Sequence, residues 1–373
     1  MKKIILYFPI VVGLITYCFP LSSFAAENDI ITDSEYYTQS ILSAVDKETL
    51  EALDEIGMNT FSTDEIFSVS FEKIGSYFSK TVFSGIKNNI SNMMLILCII
   101  VIIIALRSYF INDNSRYTAV FGVSAVVLVS VQSLEGIINM LINTLNAAGA
   151  FIHSFVPVYT LLLSLGGNTS SALTYNSVTF TFAQIITLFT DSAASNLLGA
   201  FLALSVAFSL NSVTNLNKFI AVVNKAVNTV VGFVSSTFAA LLTVRGAFSA
   251  SIDTVSSKSI RFIIGSLIPV VGSSISDAYS TLLGSINIIK GSVAVVGISV
   301  ILIIIFPPVL EATAYCLFLS FASYISDMAE LNEISSVLRA LSSGLRFLIM
   351  LNFLLMFMLI ISTAIMLSAR GGV

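Results

Sequence analysis

The sequence predicts an all-α fold: a polytopic membrane helix bundle with an N-terminal signal sequence and a small extracytoplasmic helical segment. Three observations predict it. Of 373 residues, 56% are hydrophobic and only 10% charged, against roughly 25% charged in an ordinary soluble domain. Apolar runs of near-bilayer length recur from about Asn92 to the C-terminus, so spans make up most of the protein. The formal net charge of -4 is uneven, with 12 acids and 4 bases between Glu27 and Lys87. An acidic segment therefore precedes a sparsely charged membrane body.

Residues 1–26 read as an export signal. Met1, Lys2 and Lys3 lead into an apolar stretch from Ile4 to Phe19, and Ser23-Phe24-Ala25-Ala26-Glu27 has the small residues at alternate positions that signal peptidase requires. Cleavage is expected after Ala25 or Ala26. An uncleaved first span is the alternative, and both versions put residue 27 onward outside the cytoplasm.

Residues 27–91 form the extracytoplasmic segment, with two helices expected. The first, around Tyr36 to Ile56, is acidic and carries Ile41, Leu42, Val45, Leu53 and Ile56 near helical spacing. The second starts at Ser62-Thr63-Asp64-Glu65, where Ser62 and Glu65 are placed to form a capping box. Phe67, Phe71, Ile74, Phe78 and Val82 follow one face, while Lys73, Lys80 and Lys87 recur on the other. Such a helix lies along a membrane surface, or buries its Phe face against a partner or its own domain.

Residues 92–373 form the membrane domain, with candidate spans at 92–110, 117–134, 150–166, 176–190, 196–215, 219–244, 291–310, 312–326 and 346–367. Short or broken members bring the expectation to about seven to nine helices. Arg107 and Arg116 bracket the first tight loop and place it in the cytoplasm. Arg245, Lys258, Arg261 and Lys290 would fall outside if every candidate crossed once. A re-entrant hairpin or an extra crossing over 259–289, broken at Pro269 and Gly272, resolves that conflict. Pro157 and the pair Pro307-Pro308 are expected to kink or end their helices.

Polar residues form stripes at 100° per residue. Gln132, Glu135, Asn139, Asn143, Asn146 and His153 fall within one narrow arc. Asn217, Lys218, Asn224, Lys225, Asn228, Ser235, Ser236 and Thr243 share about a third of a second helix circumference. A weaker stripe runs through Ser177, Thr181, Gln184 and Asp191. A charge exposed to lipid at mid-helix costs about 2.5–3.5 kcal/mol, so these stripes should face one another or water. They read either as a water-filled path or assembly surface, or as interhelical hydrogen bonding that only holds the bundle together. Gly199, Ala203 and Ala207 add a small-residue face suited to close helix packing.

No phosphate loop or dinucleotide fingerprint is present. His153 lacks a nucleophile-elbow partner, and one histidine with three scattered cysteines, Cys18, Cys98 and Cys316, offers neither a zinc set nor a disulfide framework. Asp191, Asp253 and Asp277 read as loop or cap residues. The expectation is a protein that is not an enzyme, with no cofactor and no metal.

Arg245-Gly246-Ala247 and the run from Ser257 to Gly297 carry a family resemblance, most specifically in Ile268-Pro269-Val270-Val271-Gly272, Ser276-Asp277-Ala278 and Ile289-Lys290 before Gly291. With Phe155-Val156-Pro157-Val158-Tyr159 upstream, the chain resembles the stage III sporulation protein AE family along essentially its whole length. Ser273 stands where that family suggests a basic residue. The resemblance singles out Pro269, Gly272, Asp277 and Lys290. It implies a polytopic component of the transport complex between mother cell and forespore, sitting in the mother-cell membrane around the forespore and needed for late forespore development. It implies as partners the other stage III A operon proteins, including a cytoplasmic ATPase and ring-forming membrane proteins, with stage II sporulation protein Q across the intermembrane space. A self-contained secondary transporter and a non-conducting scaffold remain the alternatives; a transporter of inverted repeats predicts two corresponding broken helices, and the sequence offers one strong break, near Pro269.

Overall fold

The computed structural model describes residues 45, 47–56, 71–109, 115–190, 216–267 and 272–368, with single helical positions at 196, 199, 200, 203 and 207. The expected signal at 1–26, the Ser62–Glu65 capping box and Pro269 lie outside the described residues, as does most of the candidate span at 196–215. Among those described, every regular element is helical: α1 (Lys47–Ile56), α2 (Phe71–Tyr109), α3 (Ser115–Leu165), α4 (Thr169–Tyr175), a π-helical turn (Asn176–Phe180), α5 (Thr181–Phe189), α6 (Leu216–Leu267), α7 (Gly272–Met328) and α8 (Asn332–Ser368). The chain is thus an all-α polytopic membrane helix bundle. Five described helices, α2, α3, α6, α7 and α8, are long and apolar enough to cross a membrane.

Several sequence-predicted spans are parts of one helix. The stretches 117–134 and 150–166 belong to α3, and 291–310 and 312–326 belong to α7. The hydropathy breaks between them fall at charged residues, Glu135 and Glu311. A carboxylate interrupts hydropathy, but Glu is a good helix former and the backbone runs on. Pro157, Pro307 and Pro308 likewise sit inside their helices and end none of them. Over 259–289 the chain forms the end of α6 and the beginning of α7, with residues 268–271 between them outside the description.

α7 and α8 form the centre, and α3 packs on both. The α7–α8 turn holds Glu330 at φ 59°, and Leu331 N–H reaches back to Ser326 O at 2.8 Å. Above it runs a seam of small polar residues: Ser320 Oγ lies 3.1 Å from Ser342 Oγ, Cys316 Sγ 3.2 Å from the same oxygen, and Ser323 Oγ 3.3 Å from Ser335 Oγ. Small side chains let the two backbones approach, which matters where lipid gives no hydrophobic drive to associate. Asp327 closes the seam on Arg339 at 3.1 Å.

On the α3 side an aromatic ladder fills the core. Phe151, Phe155 and Tyr159 recur every fourth residue and stack at centroid distances of 5.5 Å and 5.5 Å. Tyr159 meets the edge of Tyr175 at 5.2 Å, and the Tyr175 hydroxyl lies 3.2 Å from Thr363 Oγ1 on α8. α3 ends at Gly166-Gly167, where Gly167 takes φ 81°, a conformation that a side chain would strain. α1 docks on α2 and α7 through buried Ala52 and Leu53.

Candidate functional site

Contacts along α8 set the relative heights of the helices. Gly122 faces Ile334, and Asn352 Nδ2 donates to Leu141 O at 3.2 Å, so α3 rises parallel to α8. Asn224 Nδ2 donates to Ser343 Oγ at 3.1 Å. Gly246 faces Ile365, a step of 22 residues on both helices (224 to 246, 343 to 365), so α6 rises with them. α7 descends, as Ser320 pairs with Ser342 and Ser323 with Ser335. α2 descends too, from Asn89 beside Glu311 to Ile103 beside Gly122.

Asn352 and Ser343 are nine residues apart, about two and a half turns. α3 and α6 therefore flank α8 on opposite sides. The two principal polar stripes do not face one another, and the reason lies in the placement of α8 between them.

On α3, Glu135, Asn139, Asn143 and Asn146 are exposed, and they lie about 120–160° round the helix from Leu141, the position that meets α8. The edge points away from its own bundle. His153 at its upper end is half-buried, with its ring edge-on to Phe180 at 4.7 Å. On α6, Lys218, Lys225, Asn228 and Thr243 are exposed and Asn224 is half-buried against Ser343. Ser235 and Ser236 bond back to Val231 O and Phe233 O of their own helix, at 2.7 Å and 3.0 Å. The side chains of Gln132 and Asn217 lie outside the description. In the third stripe Ser177 and Thr181 are exposed and Gln184 is half-buried, and Asp191 is undescribed. Of the residues singled out by resemblance, Gly272 opens α7, Asp277 is exposed and Lys290 is buried at 2% exposure.

The structure adds residues that hydropathy did not select. Arg346, exposed on α8, stands three residues beyond Ser343. Glu311 on α7 accepts a hydrogen bond from Asn89 Nδ2 at 2.9 Å. Counted at ~1.5 Å per residue from the contacts above, Glu135, Lys225, Arg346, Glu311 and Asn89 lie within about 8 Å of one level. Apolar stretches of α2, α3 and α7 lie on one side of this belt, and those of α3, α6, α7 and α8 on the other. A signal for Glu311 was available: it is the lone charged residue between Lys290 and Asp327, and an ionisable group in an apolar run asks for a partner. Arg346 was masked by its place at the start of a candidate span.

This arrangement offers polar surface rather than a reaction centre. Among the described residues no group of three or more His, Cys, Asp or Glu is placed to hold a metal ion. Asp253 is a structural cap: its buried carboxylate accepts the N–H groups of Ser170 and Ser171, both at 2.8 Å, at the start of α4. Asn352 is fully buried between α3 and α8. What remains exposed is a row of asparagines with one acid on α3, and a basic face shared by α6 and α8.

Residues 56–370 match the family model described as stage III sporulation protein AE. Stage III sporulation protein AE of Bacillus subtilis (strain 168) is 23% identical over 215 residues, covering 56% of this chain and 52% of that protein. The match thus spans about half the length of the curated relative. No solved structure matches. With the family match running from the end of α1 to just beyond α8, the chain belongs to the stage III sporulation protein AE family, as a multi-pass membrane protein of sporulation.

Proposed function

We propose that this chain is a non-enzymatic membrane subunit of the transport or channel complex linking mother cell and forespore, needed for late forespore development. It sits in the mother-cell membrane that surrounds the forespore. Its partners are the other stage III A operon proteins, with the ATPase supplying energy from the cytoplasm and the ring-forming proteins meeting the extracytoplasmic segment, and stage II sporulation protein Q on the forespore side. The observation that carries this reading is the outward-facing row Glu135, Asn139, Asn143 and Asn146 on a membrane helix. Lipid is a poor environment for such a row, and a multi-subunit conduit supplies a better one. The edges on α3 and α6 line or border the path.

The test is purification from sporulating cells in mild detergent with mass-spectrometric identification of what accompanies the chain. Recovery of the ATPase and ring proteins in fixed proportion is expected. Repeated recovery of this chain alone would favour a self-contained transporter. Asn143→Leu and Asn228→Leu test the edges themselves: if leucine at either position leaves both assembly and sporulation unchanged, the polar edges border no path.

A further inference from the structure

We propose that copies of this chain associate head to tail, with the Glu135–Asn146 edge of α3 in one copy docked against the Lys225, Asn228 and Arg346 face of α6 and α8 in the next. The contact uses the same α3 and α6 edges that the proposed function sets along the border of the path, and rests on that reading for their place at a boundary between subunits.

Four relations on the molecule point to this contact. The first is exposure: Glu135, Asn139, Asn143 and Asn146 on one face, and Lys225, Asn228 and Arg346 on the other, are all exposed on membrane helices. Neither Glu135 nor Lys225 forms an ion pair among the described residues. At the depth of the hydrocarbon core lipid solvates such groups poorly, and a neighbouring protein surface of complementary charge solvates them better.

The second relation is charge. The α3 edge carries an acid among neutral amides, and the other face carries two cations. Lys225 is one residue on from Asn224 and Arg346 three on from Ser343. On parallel helices facing each other, steps of about +100° and -60° turn both cations to the same side of the Asn224–Ser343 bond.

The third relation is height. All copies share one orientation in the membrane, so groups that pair between copies must lie at one depth. Counted at ~1.5 Å per residue from Leu141 and Asn224, Glu135 and Lys225 lie within about 3 Å of one level, and Arg346 stands beside them. The fourth is position: α3 and α6 lie on opposite flanks of α8, so the same contact repeats from copy to copy without turning any copy over. That is the geometry of a heterologous interface, which builds a ring when the rotation closes. A two-fold contact would instead bring Glu135 to Glu135.

The experiment uses two differently tagged full-length chains expressed together in sporulating cells, both carrying Cys98→Ser, since Cys98 is exposed. One chain carries Glu135→Cys and the other Lys225→Cys. Mild oxidation of membranes is expected to yield a disulfide-linked pair bearing both tags. The control combines Phe121→Cys with Leu317→Cys, two exposed apolar positions. In a second arm, Glu135→Lys and Lys225→Glu each lower recovery of one tagged copy with the other several-fold, and combining both changes in one chain restores much of it. Cross-linking no stronger than the control, equal recovery of copies across all the charge variants, or a different protein captured by the Glu135→Cys chain would each overturn the proposal.

Discussion

The carboxylate of Asp253 on α6 accepts the backbone N–H of Ser171 at 2.8 Å, and so anchors the first turn of α4 to a helix 82 positions further along the chain. Its other oxygen takes Ser170 N–H at the same distance. Asp253 is 1% exposed. Asp253→Ala leaves two amide donors without acceptors, and hydrogen bonds to a charged group are worth about 1.5–3 kcal/mol. Asp253→Asn keeps one acceptor and costs less. Thermal unfolding in detergent, followed by helicity, measures both; equal effects would mean that α4 is capped by something else.

Gly297 lies where a methyl group would strike the Phe155 ring. Phe155 is stacked on Phe151 and Tyr159 and has no room to turn. Gly297→Ala is expected to destabilise by about 1–3 kcal/mol, as overpacking does, with part recovered when Phe155→Leu is added. Gly284 has open space around it, so Gly284→Ala gains up to about 1 kcal/mol of helix propensity. The same unfolding measurement decides, and a harmless Gly297→Ala would show that α3 and α7 sit further apart than described.

Asn89 and Glu311 join α2 to α7 across 222 positions of sequence. A double-mutant cycle with Asn89→Ala and Glu311→Ala should return a coupling near the average of about 0.6 kcal/mol for polar pairs between membrane helices and no more than about 1.7 kcal/mol. Additive effects would rule the bond out as a link between the two helices.

The attachment of α1 separates a buried contact from an exposed one. Leu53 is 1% exposed against the bundle, so Leu53→Ala should cost about 2–5 kcal/mol of local docking, read as faster proteolysis near α1. Glu55 accepts a hydrogen bond from Lys80 on the exposed surface, and Glu55→Gln should change that rate little. The hydrogen bond to Glu55, and then its charge, hold the Lys80 ammonium above the ordinary lysine range. A raised folded pKa means that whatever this pair contributes is fully present below the unfolded lysine value and is lost as pH rises through the folded one. Between neutral pH and pH 9 the proteolysis rate of the native chain should therefore stay flat; a rise over that interval would assign docking to a different titrating group.

Much of this protein is legible in its amino-acid sequence. Hydropathy and the 100° repeat are local properties, so the all-α class, the membrane body and the rows through Asn143 and Asn228 followed from residue order. The lengths of the helices were less legible. Glu135 and Glu311 looked like boundaries because a hydropathy window registers their charge, whereas the backbone responds to helix propensity and to neighbouring helices. Asp253 read as a cap, but its beneficiary, α4, was invisible because the pairing crosses more than eighty residues.

By itself the sequence determined that this chain is a membrane helix bundle with polar edges and a resemblance to one sporulation family. Only the tertiary structure decided where those edges point. A stripe is a property of one helix, while the direction it faces depends on which helix packs behind it. Here α8 offers Asn352 to α3 and Ser343 to α6 on opposite sides, so packing turned two rows that could have met inside one chain into two separate flanks of it.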